Sequence, residues 1–419
     1  MFVLAVYIGI FVVAAFVVTR ISAGIKDYTS LKTVTFGDES AVRPNRWAGV
    51  ISILTLFLLW GMFTGSELIP SSLHAPAPFA GNTSFTYTVE VNGQADTATV
   101  DVLVFDREEN PDTPEVAPGE GIAKNDSIKV AQYRSKLVSF DANDDFKKSD
   151  GAKIIAINDT SVVPGDTVAV EGGSVTISDK GTPNFQPDNG YQMEPLYLPS
   201  PEAVIARTGK VLEEGFRGTT LLGHLGWSLF RVVAGFICGA IVGIPLGYAM
   251  GLSNWFRGWF DPIVEFMRPV PPLALIPLVI IWAGIGETGK IILLFLAALW
   301  IMAIAARSGV SGVNISKVHA AYSLGASKWQ IMRHVIVPNS LPEIFTGARV
   351  AMGVCWGTVV AAELVAAEKG AGMMIMVASK FQNTDIVILG IILIGVIGFG
   401  IDMLMRMAER FMVPWKGKG

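Results

Sequence analysis

The 419-residue chain has only two cysteines, Cys238 and Cys355, and both fall inside long apolar runs. This argues against a disulfide framework, and we expect both to be small core hydrophobes. Charged residues are also scarce, at 16%, whereas 51% of residues are hydrophobic and the mean hydropathy is +0.49. These values exclude an ordinary soluble enzyme and predict a membrane protein with several spans.

The few charges are unevenly distributed along the chain. Residues 75–200 hold 20 acidic and 9 basic side chains, a net charge of −11, while the rest of the chain carries +7. The sequence therefore predicts one acidic soluble insert on a basic membrane frame, with domains 1–74, 75–200 and 201–419.

Seven apolar runs have lengths near the roughly 20 residues that cross a bilayer. The first lacks the preceding positive charge of a signal peptide, so we interpret it as a retained span. The fold class predicted is mainly α, a polytopic helix bundle of about seven spans: 2–18, 48–69, 231–250, 262–283, 291–306, 345–366 and 386–405.

Residues 75–200 show the pattern of a small β-rich domain. Apolar residues alternate over 85–91 and 97–105, and Asn92-Gly93 between them is a type I′ turn signal. Short strands are also predicted at 153–157, 167–170 and 174–177. The domain has no metal-ligand spacing and no catalytic grouping. It is interpreted as a solvated or docking domain, with reception of a partner as the alternative.

Lysine and arginine predict the orientation. One set of short loops carries 15 basic residues, including those in 20–46 and 307–349, and the opposite set carries only Lys290, Lys369 and Lys380. Basic loops remain in the cytoplasm. The N-terminus and the β-rich insert are therefore expected outside, and the C-terminus inside.

A polar stretch, 317–338, separates two of the apolar runs within a loop at 308–344. Ser316 and Ser327 are placed to cap two short helices, Gly325 to end the first, and Pro338 to end the second. Such a helix–Gly–helix with one apolar face, held at the membrane surface, predicts a docking element for another protein.

Glycines recur every four residues through the span at 231–250. They form a groove without side chains, in which a second helix can approach closely. The groove serves tight packing alone, or packing that slides during transport; the residues are Gly235, Gly239, Gly243, Gly247 and Gly251.

Polar residues within the apolar runs are candidates for a substrate pathway. Glu363 is an intramembrane acid, which is a functional hypothesis, although an interfacial position or an internal partner also explains it. Arg231 can reach the interface or meet an anion, and Trp356 and Thr358 can line the interior. Four prolines between 268 and 277 indicate a broken span, as in a pathway or hinge.

One stretch resembles a nucleotide site only in part. Residues 284–291 match most of a P-loop, but Ile291 stands where a magnesium-binding Ser or Thr is needed. We therefore expect no nucleotide site, no metal and no cofactor in this chain.

The polar stretch resembles the cytoplasmic loop of the membrane subunits of type I ABC importers. Ala320, Ala321, Gly325 and Pro338 match its Glu-Ala-Ala, Gly and Pro in register, with His319 in place of Glu. The chain is further similar to the nitrate/sulfonate/taurine branch, and to taurine permeases within it, at 228–236, 243–251, 268–274, 281–288, 341–347 and 361–364.

The resemblance implies a permease in the bacterial inner membrane, formed by two copies of the chain. Two cytoplasmic ATPase subunits would bind ATP and Mg²⁺, and an extracytoplasmic solute-binding protein would deliver taurine or a related sulfonate. The chain itself would be no enzyme and would contact lipid but no nucleic acid. The coupling loop would use His319, Ala320, Ala321, Gly325, Ala326 and Pro338.

Three alternatives remain open at this point. A permease of this family can carry nitrate, another sulfonate or another small solute. A secondary transporter would use Glu363 to couple protons, and a membrane-anchored receptor would act through its β-rich domain.

Overall fold

The computed structural model describes residues 2–22, 46–106, 109, 111–119, 121–147 and 151–415. Most of the predicted basic loop at 20–46 lies outside these residues. The chain forms two compact units, Met1–Glu202 and Ala203–Gly419.

The first unit begins with two helices, α1 (Phe2–Ser22) and α2 (Arg46–Thr64), which pack on each other. Two sheets follow, with strand orders β3-β2-β1-β5-β6 and β4-β9-β8-β7. The strands are β1 (Gly81–Val91), β2 (Gln94–Phe105), β3 (Asp126–Ala131), β4 (Lys136–Leu137), β5 (Lys153–Ile157), β6 (Thr160–Ser161), β7 (Thr167–Val170), β8 (Gly173–Ile177) and β9 (Pro183–Pro187).

The alternation of apolar residues explains how the strands form one core. Along β1 every second residue from Thr83 to Val91 is buried, so one face of the strand is apolar. Asn92 and Gly93 both have positive φ, 53° and 81°, as a type I′ hairpin between β1 and β2 requires. Side chains of both sheets share one hydrophobic cluster, in which Phe85 stacks on Phe185 at 6.0 Å.

The second unit is helical. Its first helix, α3, begins two residues before the unit does. The helices are α3 (Pro201–Glu214), α4 (Leu221–Leu252), α5 (Asn254–Met267), α6 (Ile276–Ala283), α7 (Glu287–Ser311), α8 (Ile315–Ser323), α9 (Lys328–Ile331), α10 (Val337–Ala366), α11 (Ala371–Lys380) and α12 (Thr384–Met412).

The structure gives fewer full-length spans than the seven predicted. Among the described residues, five helices are long and apolar enough to cross a membrane, and a bent pair makes a sixth if it is counted as one span. Within α1, at the predicted first span, the apolar segment found is the shorter Ala5–Val18. The five are Trp47–Thr64, Leu221–Leu252, Glu287–Ser311, Lys328–Val365 and Thr384–Met412.

The bent pair lies where the prolines are concentrated. α5 ends at Met267, a short 3₁₀ turn covers Pro272–Leu275, and the two apolar segments meet at an angle of 94°. Proline removes a backbone N–H donor and clashes with the preceding turn, so a straight helix over 262–283 does not form.

The glycine groove of α4 is occupied by α7. A Cβ atom added at Gly235 would lie 2.3 Å from the Leu294 Cβ, and one at Gly247 would lie 2.4 Å from the Ala303 carbonyl oxygen. Such close approach of backbones gives dispersion contacts where lipid offers no hydrophobic contrast. α10 and α12 complete this core, to which Trp356 and the buried Cys355 belong. Cys238 is exposed on α4, so the prediction that it is a core residue is wrong.

Candidate functional site

The predicted docking element begins with α8, but not at the predicted cap. The N-cap is Asn314, whose side-chain oxygen accepts from the Ser316 N–H at 2.9 Å, instead of Ser316. Asparagine serves this role well because its oxygen reaches a free N–H of the first turn. The helix ends before Gly325, which has a φ of +81°, a conformation that favours glycine.

The second helix of the element is continuous with the next span. Ser327 and Gln330 form a reciprocal capping box at the start of α9. A π-helical turn over Met332–Ile336 then leads directly into α10. The prediction that Pro338 ends the helix is therefore wrong. Pro338 lies in the first turn of α10, where its missing N–H is tolerated after the wider π turn.

The end of this element presents apolar side chains to solvent. We define the paired-helix tip as Ile315, Tyr322, Leu324 and Trp329; Leu324 is 88% exposed and Trp329 71%. Of the six predicted coupling residues, His319, Ala320 and Gly325 are exposed, while Ala321, Ala326 and Pro338 are half-buried. Exposed apolar surface of this kind marks an interaction site.

The base of the element is fixed to the helix bundle. The Tyr248 hydroxyl on α4 lies 2.5 Å from the Ser340 hydroxyl on α10, and Gly309 of α7 allows Ser340 to approach closely. Lys317 of α8 donates to the Asn339 side chain at 2.9 Å. The tip is therefore exposed, while its base is held by α4, α7 and α10.

A buried charge network ties the opposite end of the same helices. Arg231 is 1% exposed. Its Nε and Nη2 donate to the two Glu287 oxygens at 2.5 and 2.7 Å, and its Nη1 donates to Glu363 Oε1 at 2.5 Å. Lys290 donates to Glu287 at 2.9 Å. Two cations and two anions thus join α4, α7 and α10 with no net charge.

The Glu363 carboxylate is fully engaged within this network. Besides Arg231, it accepts from the Ser228 hydroxyl at 2.8 Å and from the Gly372 N–H of α11 at 2.9 Å. A free backbone N–H at a helix N-terminus favours such a carboxylate. His224 adds a further tie, because its Nδ1 accepts from the Gly370 N–H at 3.1 Å.

The structure brings two of the four predicted pathway residues together and separates the others. Arg231 and Glu363 form the ion pair, whereas Trp356 packs on α12 and donates its Nε1–H to the Ile394 carbonyl at 3.1 Å. Thr358 is buried. Sequence reasoning missed Glu287, Lys290, Ser228 and His224. A signal was present in the spacing, since residues three apart lie on one helix face. Ser228 precedes Arg231 by three residues, and Glu287 precedes Lys290 by three.

A second polar cluster lies in the first unit. The buried Tyr87 hydroxyl is 3.2 Å from Asp126 Oδ2 and 3.5 Å from Asp144 Oδ2, and the Lys124 N–H donates to Asp144. Burial, followed by the neighbouring Asp144 charge, raises the pKa of Asp126 to about 7. Burial likewise raises the pKa of Asp144 and of Tyr87. The charges facing this pair include those of Asp141 and Asp145.

The stability of the β-rich part should therefore fall as the pH rises from about 4 to 7. In that window folded Asp126 keeps a proton that the unfolded chain, with a pKa near 3.8, has lost, so the folded state binds more protons. Asp126→Asn should remove most of this dependence, which in the wild type is on the order of 2–4 kcal/mol. Asp144, whose pKa is also raised, contributes the remainder. Hydrogen exchange of β1 amides at pH 5 and 7.5, corrected for intrinsic rates, measures this dependence. If the free energy of opening of the β1 amides differed between the wild type and Asp126→Asn by the same amount at both pH values, the raised pKa of Asp126 would be contradicted.

Among the described residues, no three His, Cys, Asp or Glu side chains are grouped closely enough to hold a metal ion. The carboxylates of both polar clusters accept hydrogen bonds from protein donors. Their chemistry is that of internal ties between helices or strands.

Comparison with known proteins connects this architecture to transport. The profile of the binding-protein-dependent transport system inner membrane component family matches residues 239–414. The chain is 45% identical over 227 residues to the taurine transport system permease protein TauC of Escherichia coli (strain K12), covering 54% of this chain and 82% of TauC.

Two further relatives carry related substrates in their names. The chain is 38% identical over 218 residues to the putative aliphatic sulfonates transport permease protein SsuC of Escherichia coli (strain K12), covering 52% of this chain and 81% of that protein. It is 32% identical over 226 residues to the nitrate import permease protein NrtB of Synechocystis sp., covering 53% and 82%.

A solved structure, the MetNI methionine ABC transporter in an inward-facing conformation, aligns with a TM-score of 0.41 and 18% identity, covering 46% of this chain and 95% of that chain. The sequence relatives carry the assignment. The chain belongs to the binding-protein-dependent transport system inner membrane components, the ABC importer permeases whose relatives here include taurine, sulfonate and nitrate permeases.

Proposed function

We propose that the chain is the transmembrane subunit of an ATP-driven importer for taurine or a related sulfonate, and that it couples ATP hydrolysis in separate ATPase chains to alternating access. The observation that carries this proposal is the paired-helix tip, an exposed apolar surface whose second helix, α9, continues through a π turn into the membrane helix α10. The 45% identity to a taurine permease supports the substrate class.

The geometry of α10 suits a mechanical lever. Its 30 residues extend about 45 Å, from the base of the paired-helix tip to Glu363 near its other end. A rigid helix transmits a displacement at one end to its contacts at the other. Movement of a docked ATPase would therefore reach the charge network that joins α4, α7 and α10. The coupling contacts would include His319, Ala320, Ala321, Gly325, Ala326 and Pro338.

The orientation and assembly follow from the same proposal. The excess of lysine and arginine supports an orientation with the paired-helix tip and the C-terminus in the cytoplasm, and with the N-terminus and residues 75–200 outside the inner membrane. The permease would be residues 201–419, used as a homodimer with two ATPase subunits and an external solute-binding protein. ATP and Mg²⁺ would be bound by the ATPase, and this chain would supply no cofactor site.

The contacts of Glu363 argue against the alternative of a proton-coupled carrier. Its carboxylate accepts from Arg231, Ser228 and the Gly372 N–H, so its contacts are those of a structural tie between α4, α10 and α11. Arg231 and Glu363 contribute to a substrate path in this proposal by opening and closing it, and Trp356 and Thr358 by packing α10.

Substrate choice is tested by competition for uptake. Vesicles containing the chain, its ATPase and its binding protein should take up labelled taurine with ATP inside, and unlabelled taurine and short alkanesulfonates should suppress this uptake. Suppression by nitrate alone would assign the chain to the nitrate permeases instead.

Leu324→Asp should abolish co-purification with the ATPase while leaving the folded chain intact. The side chain is 88% exposed, so a carboxylate there disturbs no internal packing but places a charge in the apolar contact. Pull-down from detergent measures the association, and thermal melting measures folding. Val163→Asp, at a position 61% exposed in the first unit, is the matched control and should bind normally. Full co-purification of the Leu324 variant would contradict the docking role.

A further inference from the structure

The β-rich part of the first unit is attached to the C-terminal end of α2, so the position of that end in the membrane bears on its role. α2 has 19 residues, about 28 Å, which is close to the roughly 30 Å of hydrocarbon that a span must cross. Large apolar side chains such as Ile53, Leu54 and Leu56 are exposed along it, as a lipid-facing helix requires. The last turn, Trp60 to Thr64, therefore lies where hydrocarbon gives way to headgroups.

Two segments are hydrogen-bonded to this last turn. One leads from α2 to the first strand, and the other follows the last strand. We call residues 66–76 and 188–200 together the membrane collar. Trp60 donates its Nε1–H to the Pro199 carbonyl at 2.9 Å, and the Phe63 carbonyl accepts from the Met193 N–H at 2.8 Å. The Met62 carbonyl accepts from the Ala75 N–H at 3.0 Å.

These bonds fix the height of the collar relative to the bilayer. A group within 3 Å of an atom in the final turn of a span lies at the depth of that turn. Further bonds make the collar rigid, because Gln192 donates to the Ala75 carbonyl at 2.9 Å and Ser66 donates to Glu202 at 2.6 Å. The collar therefore cannot rise from the interface without leaving α2.

At this depth the collar exposes large apolar and aromatic side chains. Tyr191 is 74% exposed and Tyr197 67%, and Leu68, Leu73 and Met193 of the collar are each close to half exposed. Tyrosine favours the membrane–water interface, where its ring lies among lipid tails and its hydroxyl reaches water. Exposed apolar side chains on segments bonded to the end of a lipid-facing helix have the bilayer as their natural neighbour.

We propose that the membrane collar binds the bilayer interface and holds the β-rich part at the lipid surface. The contact is apolar rather than electrostatic, since residues 75–200 carry a net charge of −11 and anionic headgroups would repel them. Zwitterionic lipid is sufficient. The inference concerns the end of α2 and does not depend on the transported solute.

Spin-label accessibility in phosphatidylcholine vesicles that contain only the full chain tests this inference. Labels at Tyr191→Cys and Tyr197→Cys, in a background with Cys238→Ala and Cys355→Ala, should collide with oxygen and show several-fold fewer collisions with a water-soluble nickel chelate than a control label does. The control is Val163→Cys. Val163 lies before the N-terminal end of β7. The collar contacts the chain just after the other end of β7, where the Asp188 N–H donates to the Gly172 carbonyl, so Val163 lies away from the collar.

Equal nickel accessibility at all three positions would overturn the proposal. Protection that disappears when the protein is diluted in lipid would also overturn it, because it would assign the surface to a second copy of the chain. If the cysteine-free background does not fold, hydroxyl-radical footprinting of the wild-type chain in lipid nanodiscs decides. Tyr191, Met193 and Tyr197 should then be modified less than their exposure predicts, and full modification would contradict lipid contact.

Discussion

Replacing Arg231 with methionine is expected to lower the melting temperature of the chain by about 6–20 °C. Its guanidinium balances Glu363, whose side chain is fully buried, so the substitution leaves an uncompensated charge inside the bundle. Removal of one partner of a buried ion pair costs about 3–5 kcal/mol. For a folded unit of this size, each kcal/mol shifts the midpoint by about 2–4 °C. Thermal melting followed by size-exclusion chromatography in detergent measures the loss.

Two variants separate the charge effect from lost packing. Arg231→Met combined with Glu363→Gln removes both charges and keeps an acceptor for the Gly372 N–H, so it should regain most of the stability. Arg257→Met breaks only a 3.9 Å pair with Asp261 at an arginine side chain that is 59% exposed, and should change the midpoint little. A double variant as unstable as the single one would contradict the importance of charge balance.

Gly247→Ala is the second substitution with a large expected effect. The added methyl would lie 2.4 Å from the Ala303 carbonyl oxygen and 2.6 Å from the Ala306 Cβ, distances that require α4 and α7 to separate. Overpacking of this kind costs about 1–3 kcal/mol, and here it acts on backbone atoms that cannot rotate away. We expect a fall in melting temperature of about 2–12 °C.

Gly226→Ala is the matched control on the same helix. A methyl at Gly226 meets no atom within 4 Å, so the change should leave stability the same or increase it slightly, because alanine favours helices. Equal melting temperatures for the Gly226 and Gly247 variants would show that the glycine groove is not a packing surface.

Features governed by local chemistry were predictable from the sequence. The alternation over 85–91 and the Asn92-Gly93 turn indicate a hairpin that the structure places at β1 and β2. The spacing of Ser327 and Gly325 indicates a helix break that Gly325 provides with its positive φ. In each case the determining interaction lies within a few residues of the signal.

Features that depend on distant contacts were not predictable in the same way. Glu363 finds Arg231 132 residues away in sequence, and neither residue's neighbours reveal the pairing. Pro338 was expected to end a helix, but the preceding π turn allows the chain to continue. Cys238 and Cys355 both lie in apolar runs, and only the packing of α4 and α10 decides that one is exposed and the other buried.

The energy source for uptake distinguishes an ATP-driven importer from a proton-coupled carrier. The purified chain is reconstituted in liposomes with its ATPase and binding protein, and taurine uptake is followed with ATP, without ATP, and with a proton gradient alone. We expect uptake only with ATP, and none with the Leu324→Asp chain in any condition. Uptake driven by the proton gradient without the ATPase would contradict it.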